Sequence, residues 1–223
     1  MATPELYENP MTDPTHEELR RLYIRHAILL ESGVDLEGRN LFMIGDVSSP
    51  NAENMISSLH LMNTRSDAPI KLWINSCGGD DQMLFYMYDA IVSSKSPVYT
   101  IGTGMVCSAA ALLLVCGDRR YATPNCWFMT HKGRFQLEGD EDEIRAATHL
   151  SSAVSDRYWK LVGRHTSRSA KWWFSRSKGH GELWMDVDEM LKNGVIDDVL
   201  GTTRRQLPPL TKGRVQKGEE DEE

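Results

Sequence analysis

Ile101-Gly102-Thr103-Gly104-Met105-Val106-Cys107-Ser108-Ala109-Ala110-Ala111, with Phe128-Met129-Thr130-His131 further along, is the stretch whose reading decides how this chain folds. A β-rich run ends in glycines, and a lone hydroxyl residue then stands where an alanine-rich helix begins. Strand, glycine turn and buried helix in that order are one unit of an α/β fold. Ser108 falls at the turn. The residues alone are equally compatible with a plain helix cap at Ser108 and with an exposed nucleophile.

Working outward, Asn40 to Ile44, Pro69 to Asn75 and Val98 to Gly102 read as strands. Pro50 to Met62, Asp81 to Ser93 and Ser108 to Val115 read as the helices between and after them. Alternation with short connections predicts βαβ crossovers around a mostly parallel sheet, in which ligand and catalytic groups gather at the carboxyl ends of strands. The Cys77-Gly78-Gly79 and Gly102-Thr103-Gly104 turns both lie at such ends, and so does His131, after the strand-like Cys126 to Thr130. A long helix is expected from Asp142 to about Val162, with Ile144, Ala147, Ser151, Val154, Tyr158 and Leu161 on one modestly apolar stripe. It lies across the domain or projects from it.

The chain has 223 residues, 40% of them hydrophobic, which is enough for one domain with tails. No apolar run reaches the roughly 18 residues that span a bilayer. The polar, acidic beginning lacks the basic and apolar regions of a secretory signal, so a cytoplasmic location is expected, or the plastid stroma or a host cytoplasm for an organellar or phage-encoded chain. The four cysteines show no CxxC pairing, so neither a zinc site nor a disulfide framework is expected. A net charge of −7 argues against nucleic-acid binding, which needs a basic face. Thr15-His16-Glu17-Glu18 has the spacing of a capping box, opening a helix from about His16 to Glu31. Three segments result: an N-terminal arm and helix at 1–38, a main domain at 39–200, and a charged tail at 201–223 that ends in Glu219-Glu220-Asp221-Glu222-Glu223 and is expected to be disordered.

A serine hydroxyl becomes a useful nucleophile only with a base in reach, an acid behind the base, and amide donors for the oxyanion. Ser108 with the amide of Ala109 at a helix start, a second amide at Gly79, and His131 as base would meet three of those needs. Each of these residues taken singly is also compatible with an ordinary turn or a structural histidine.

Five motifs in constant order carry a resemblance. Ile74-Asn75-Ser76-Cys77-Gly78-Gly79, Met87-Tyr88-Asp89, Gly104 to Ala111, Pro124-Asn125-Cys126-Trp127-Phe128-Met129-Thr130-His131 and Gly194-Val195-Ile196-Asp197 are similar to motifs of the caseinolytic (Clp) protease proteolytic subunit family. The resemblance runs from about Leu41 to Leu200. It implies the family's α/β fold, shared with crotonases, of repeated βαβ units with the long helix projecting. It also implies a serine endopeptidase with Ser108 as nucleophile, His131 as general base, and Gly79 and Ala109 amides as the oxyanion hole, with no cofactor and no metal.

For the third member, aligning Trp184-Met185-Asp186-Val187 with the family's Phe-Met/Leu-Ser-Ala places Glu182 where the family has an aspartate. Counting forward from His165-Thr166 lands on His180 instead. Glu182 is preferred, because a carboxylate orients the imidazole and stabilises its charged form. Asp186 is the second candidate.

The resemblance further implies unfolded-protein or peptide substrates, a homo-oligomer of stacked rings enclosing the serines, and an AAA+ unfoldase ATPase as partner. The stretch Lys132 to Glu138 departs from the family's pattern where substrate backbone pairs as an added strand. Two alternatives from other classes are a catalytically weak paralogue that scaffolds the ring and a crotonase-type acyl-CoA enzyme.

Overall fold

The computed structural model describes residues 15–133, 138–179 and 181–201. The chain runs α1 (His16–Ser32), β1 (Val34–Asp35), β2 (Asn40–Ile44), α2 (Ser49–Arg65), β3 (Ile70–Ser76), α3 (Asp81–Val92), β4 (Val98–Cys107) and α4 (Ala109–Val115). It continues through β5 (Arg119–Ala122), β6 (Trp127–His131), α5 (Glu141–His165), α6 (Ala170–Gly179), β7 (Glu182–Met185), α7 (Val187–Lys192) and β8 (Asp198–Val199). The strands form a mixed α/β sheet in the order β1-β2-β3-β4-β5-β8, with β6 joined to β4 and β7 joined to β6. Pairing is parallel except for β1 with β2 and β6 with β7. The parallel α/β reading of the sequence is what forms.

Local chemistry explains the element ends. The Thr15 hydroxyl accepts the Glu18 amide at 3.3 Å while the Glu18 carboxylate accepts the Thr15 amide at 2.7 Å, the reciprocal bonds the spacing predicts. Along β3, Ile70, Leu72, Ile74 and Ser76 are buried in alternation, the period of a pleated strand. Ala52, Met55, Leu59 and Met62 recur at helical steps on the buried side of α2. All seven residues of α4 are buried, and at about 2 kcal/mol for each buried leucine this helix is firmly seated.

One strand departs from expectation. The glycines at 102 and 104 read as the end of the third strand, yet β4 runs on to Cys107. The register passes from Ile74 opposite Gly102 to Ser76 opposite Val106, so β4 bulges by two residues against β3. Gly104 takes a positive φ of 58° at the bulge, and the Asn75 Oδ1 atom accepts the Met105 amide at 3.2 Å. The bulge lets β4 pair β5 through Tyr99–Gly102 and then β6 through Met105–Cys107. Consequently Ser108 and His131 leave neighbouring strands at the same end.

The long helix begins one residue before the expected start and extends three residues past the expected end. Its only buried residues are Tyr158, Trp159 and Val162, while Ile144 and Leu150 in its first half are exposed. That first half stands clear of the domain, which is the projecting alternative. Among the described residues, no helix is long and apolar enough to cross a membrane.

Arg120 clamps the C-terminal lobe. Its Nε and Nη2 donate to the two Asp197 carboxylate oxygens at 3.2 and 2.5 Å, and Nη1 donates to the carbonyls of Gly194, at 2.7 Å, and His165. Burial alone would raise the Asp197 carboxyl, but these bonds outweigh it and hold it below the ordinary carboxylate range. A carboxyl lowered in the folded state stabilises above its unfolded pKa, near 3.8, and that contribution disappears as pH falls through the folded value. Arg120→Met is expected to cost about 2–4 kcal/mol, because two carbonyls lose their donor and Asp197 keeps only the main-chain amide of residue 120, at 2.8 Å. Urea titration at pH 7 measures it, and a change below 0.5 kcal/mol would contradict the clamp.

Candidate active site

Ser108 stands between β4 and α4 with φ 56° and ψ −121°. A residue with a Cβ pays about 1–3 kcal/mol for such a backbone, so the turn must be held from outside. It is held three ways. The Ser108 amide donates to the Met129 carbonyl at 2.8 Å, and its carbonyl accepts both the Ala111 amide at 3.0 Å and the Tyr158 hydroxyl at 2.9 Å. The strained turn pushes the side chain outward, as in the sharp strand-to-helix elbows that present nucleophiles.

The Ser108 hydroxyl caps nothing in α4. Its Oγ lies 2.7 Å from Nε2 of His131, the last residue of β6. This is hydrogen-bond distance for proton transfer. For the hydroxyl to donate, the ring proton must sit on Nδ1. His165, by contrast, has its Nε2 bonded to the Tyr88 hydroxyl at 2.9 Å, within the fold. Cys107, next to the serine, is not a competing nucleophile: burial, with Cys77 and Glu182 nearby, pushes its thiol up to about 11.

The Gly78-Gly79 turn runs directly against this serine. A Cβ on Gly78, at φ 101°, would lie 2.7 Å from the Ser108 Cβ and 3.0 Å from the Ala109 nitrogen. Glycine is therefore required by the approach as well as by φ. Val47 donates to the Gly78 carbonyl at 2.8 Å and accepts the Asp80 amide at 2.8 Å, a parallel bridge that leaves Gly79's own amide out. Ala109 is the first residue of α4, where amides have no intrahelical acceptor. Two main-chain donors thus flank the serine.

Glu182 opens β7 directly opposite His131 in the antiparallel ladder. Directly opposed residues share a face, with Cβ atoms about 5 Å apart. The carboxylate is exposed and its Oε2 accepts the Trp184 indole N–H at 3.0 Å. Asp186 lies past the other end of that ladder, where Met185 faces Phe128, and its Oδ1 accepts the Glu189 amide at 2.9 Å as the N-cap of α7. The structure brings Glu182 beside His131 and keeps Asp186 away, some four residues along at about 3.3 Å each. His180 and the segment 134–137 lie outside the described residues.

A small cavity adjoins the pair, lined by Asp81, Ser108, Ala109, His131, Gly133, Val154, Ser155, Tyr158 and Trp159. Several of these were not singled out from sequence, among them Tyr158, counted only in a helix stripe, and Asp81, which directly follows the Gly-Gly-Asp run. Burial, and then Asp80, raise the Asp81 carboxyl, while His131 pulls it down. Among the described residues, no cluster of three or more His, Cys, Asp or Glu is placed to hold a metal ion.

A serine hydroxyl held on an imidazole at the carboxyl end of a mostly parallel α/β sheet is the arrangement of a serine-type peptidase. The family's sequence model, described as Clp protease, matches residues 31–203, and the chain belongs to that family. It is 28% identical to the ATP-dependent Clp protease proteolytic subunit 2 of Treponema denticola over 176 residues, covering 78% of this chain and 86% of the relative. The subunit 2 of Pseudomonas aeruginosa is 25% identical over 176 residues, 78% of this chain and 87% of its own. That of Thermobifida fusca is 27% identical over 206 residues, 90% and 98% of the two chains.

Proposed function

We propose that this peptidase hydrolyses peptide bonds with Ser108 as nucleophile, His131 as general base and Glu182 as the orienting acid, the Gly79 and Ala109 amides holding the oxyanion. The observation that carries the reading is the 2.7 Å contact between Ser108 Oγ and His131 Nε2 on a strained turn. As Oγ bonds to the substrate carbonyl carbon, its proton passes to Nε2 and the carbonyl electrons move onto oxygen, facing the two amides. Collapse of that adduct expels the amine, which takes the proton from His131. Water then repeats the sequence on the acyl-enzyme and restores Ser108. Glu182, facing the imidazole from β7, stabilises the cation formed in both halves.

Residues 39–200 form the peptidase unit in this reading, and unfolded polypeptides or peptides are its substrates. The exposed Ile144 and Leu150 on the free half of α5, together with exposed Leu19, Leu22, Tyr23 and Leu30 on α1, support assembly with further copies into stacked rings. The relatives' name, ATP-dependent Clp protease proteolytic subunit, supports work alongside an ATPase that delivers substrate. A cytoplasmic location goes with that reading.

A fluorophosphonate probe tests the chemistry. Stoichiometric modification of Ser108 in the assembled protein, lost in His131→Ala, is the expected result. An assembled oligomer that stays unlabelled would overturn the peptidase assignment in favour of a scaffolding subunit.

A further inference from the structure

Asp81 is the first residue of α3, and its half-buried carboxylate lines the cavity that holds Ser108 and His131. Its neighbour Asp80 is committed to the helix, accepting the amides of Gln82 at 2.7 Å and Met83 at 2.9 Å. Asp81 has no hydrogen bond or ion pair among the described residues. α5 contributes Val154, Ser155, Tyr158 and Trp159 to the lining, so this side is aromatic and apolar apart from the Ser155 hydroxyl. The Tyr158 hydroxyl is already used by the Ser108 carbonyl, which leaves its ring as wall. A carboxylate that has His131 as its ionisable neighbour and no lysine or arginine partner among the described residues is a poor surface for an apolar or acidic side chain and is matched in charge to a cationic one. The stem of lysine or arginine packs on aromatic surface while its charged head reaches an acid.

We infer that Asp81 sets the specificity of this site, selecting lysine or arginine as the residue whose carbonyl Ser108 attacks. The inference rests on the proposed peptidase reading and adds the substrate class to it. That residue is the one assigned because the cavity includes Ala109, whose amide faces the same carbonyl in the proposed mechanism. Among the described residues, Asp81 is the one carboxylate of the lining, and Lys132 is exposed and lies outside it.

The test is a set of otherwise identical fluorogenic peptides carrying Lys, Arg, Leu or Asp at the scissile position, assayed on the assembled wild-type protein and on Asp81→Asn. The wild type should show kcat/KM about tenfold or more higher for Lys and Arg than for Leu, with Asp lowest. A factor of ten corresponds to about 1.4 kcal/mol, the size of a good partly buried ion pair. Asp81→Asn should bring the Lys-to-Leu ratio down about tenfold. Because the ratio is taken within one preparation, any loss of folded enzyme cancels. Asp81→Lys should reverse the order and favour Asp. A wild-type enzyme that cleaves Leu as fast as Lys, or a ratio that moves less than twofold in Asp81→Asn, overturns the inference. Fluorophosphonate labelling of the same samples separates the two levels: labelled enzyme without cationic preference sinks the specificity alone, and unlabelled enzyme sinks the peptidase reading beneath it.

Discussion

Ser108→Ala and His131→Ala are each expected to lower kcat on an unfolded-protein or peptide substrate by about 10⁴-fold or more, and the double variant by no more than either single one. Nucleophile and base act as one unit, so removing the second partner of a broken pair costs nothing further. The 2.7 Å contact between Oγ and Nε2 is the physical basis of that coupling. Additive losses would show that the two side chains act separately.

The stability of the serine variants carries independent information. Alanine keeps a Cβ at φ 56° and retains the strain, whereas glycine removes it. Ser108→Gly should therefore be inactive yet more stable than Ser108→Ala by about 1 kcal/mol. Equal stability by thermal and urea unfolding would mean that the turn stores no strain.

Glu182→Gln is expected to reduce kcat by about 10²- to 10³-fold and to slow fluorophosphonate labelling of Ser108 without abolishing it. Loss of an orienting carboxylate can cost about 10⁴ where the acid is buried. Here it is exposed and shares an oxygen with the Trp184 indole, so water screens part of its effect and partly replaces it. Asp186→Asn provides the contrast. Its carboxylate caps α7, and asparagine caps nearly as well, so activity should stay within about threefold. Asp186→Ala should cost about 1 kcal/mol of stability with little change in kcat. A larger kinetic loss at Asp186 than at Glu182 would reverse the assignment.

The α/β architecture was legible because its strands and helices are written in plain periodicity, with glycine at the turns between them. Ser108 and His131 were legible through their place beside those turns and through five ordered motifs. Three things were not. The continuation of β4 past Gly102 depends on Asn75 bonding the Met105 amide, a contact between strands that no local pattern announces. The pairing of Glu182 with His131 depends on β6 and β7 running antiparallel in one register, across fifty residues of intervening chain. Asp81 read as the start of a helix, which it is. Its second environment, the cavity wall supplied by α5, exists only once α3, α4 and α5 have packed. Asp186, the second candidate, has instead a purely local place as the N-cap of α7.

The fork in β4 has a mechanical consequence. His131 and Glu182 ride together on the ribbon of β6 and β7, which meets the main sheet only at Met105–Cys107. Ser108 belongs to the other side, anchored by the fully buried α4. A slide of the ribbon would carry imidazole and carboxylate along as one body and change only the gap to the hydroxyl. The machinery thus has a single seam, and the Ser108 amide, bonded across it to Met129, is the stitch that holds it closed.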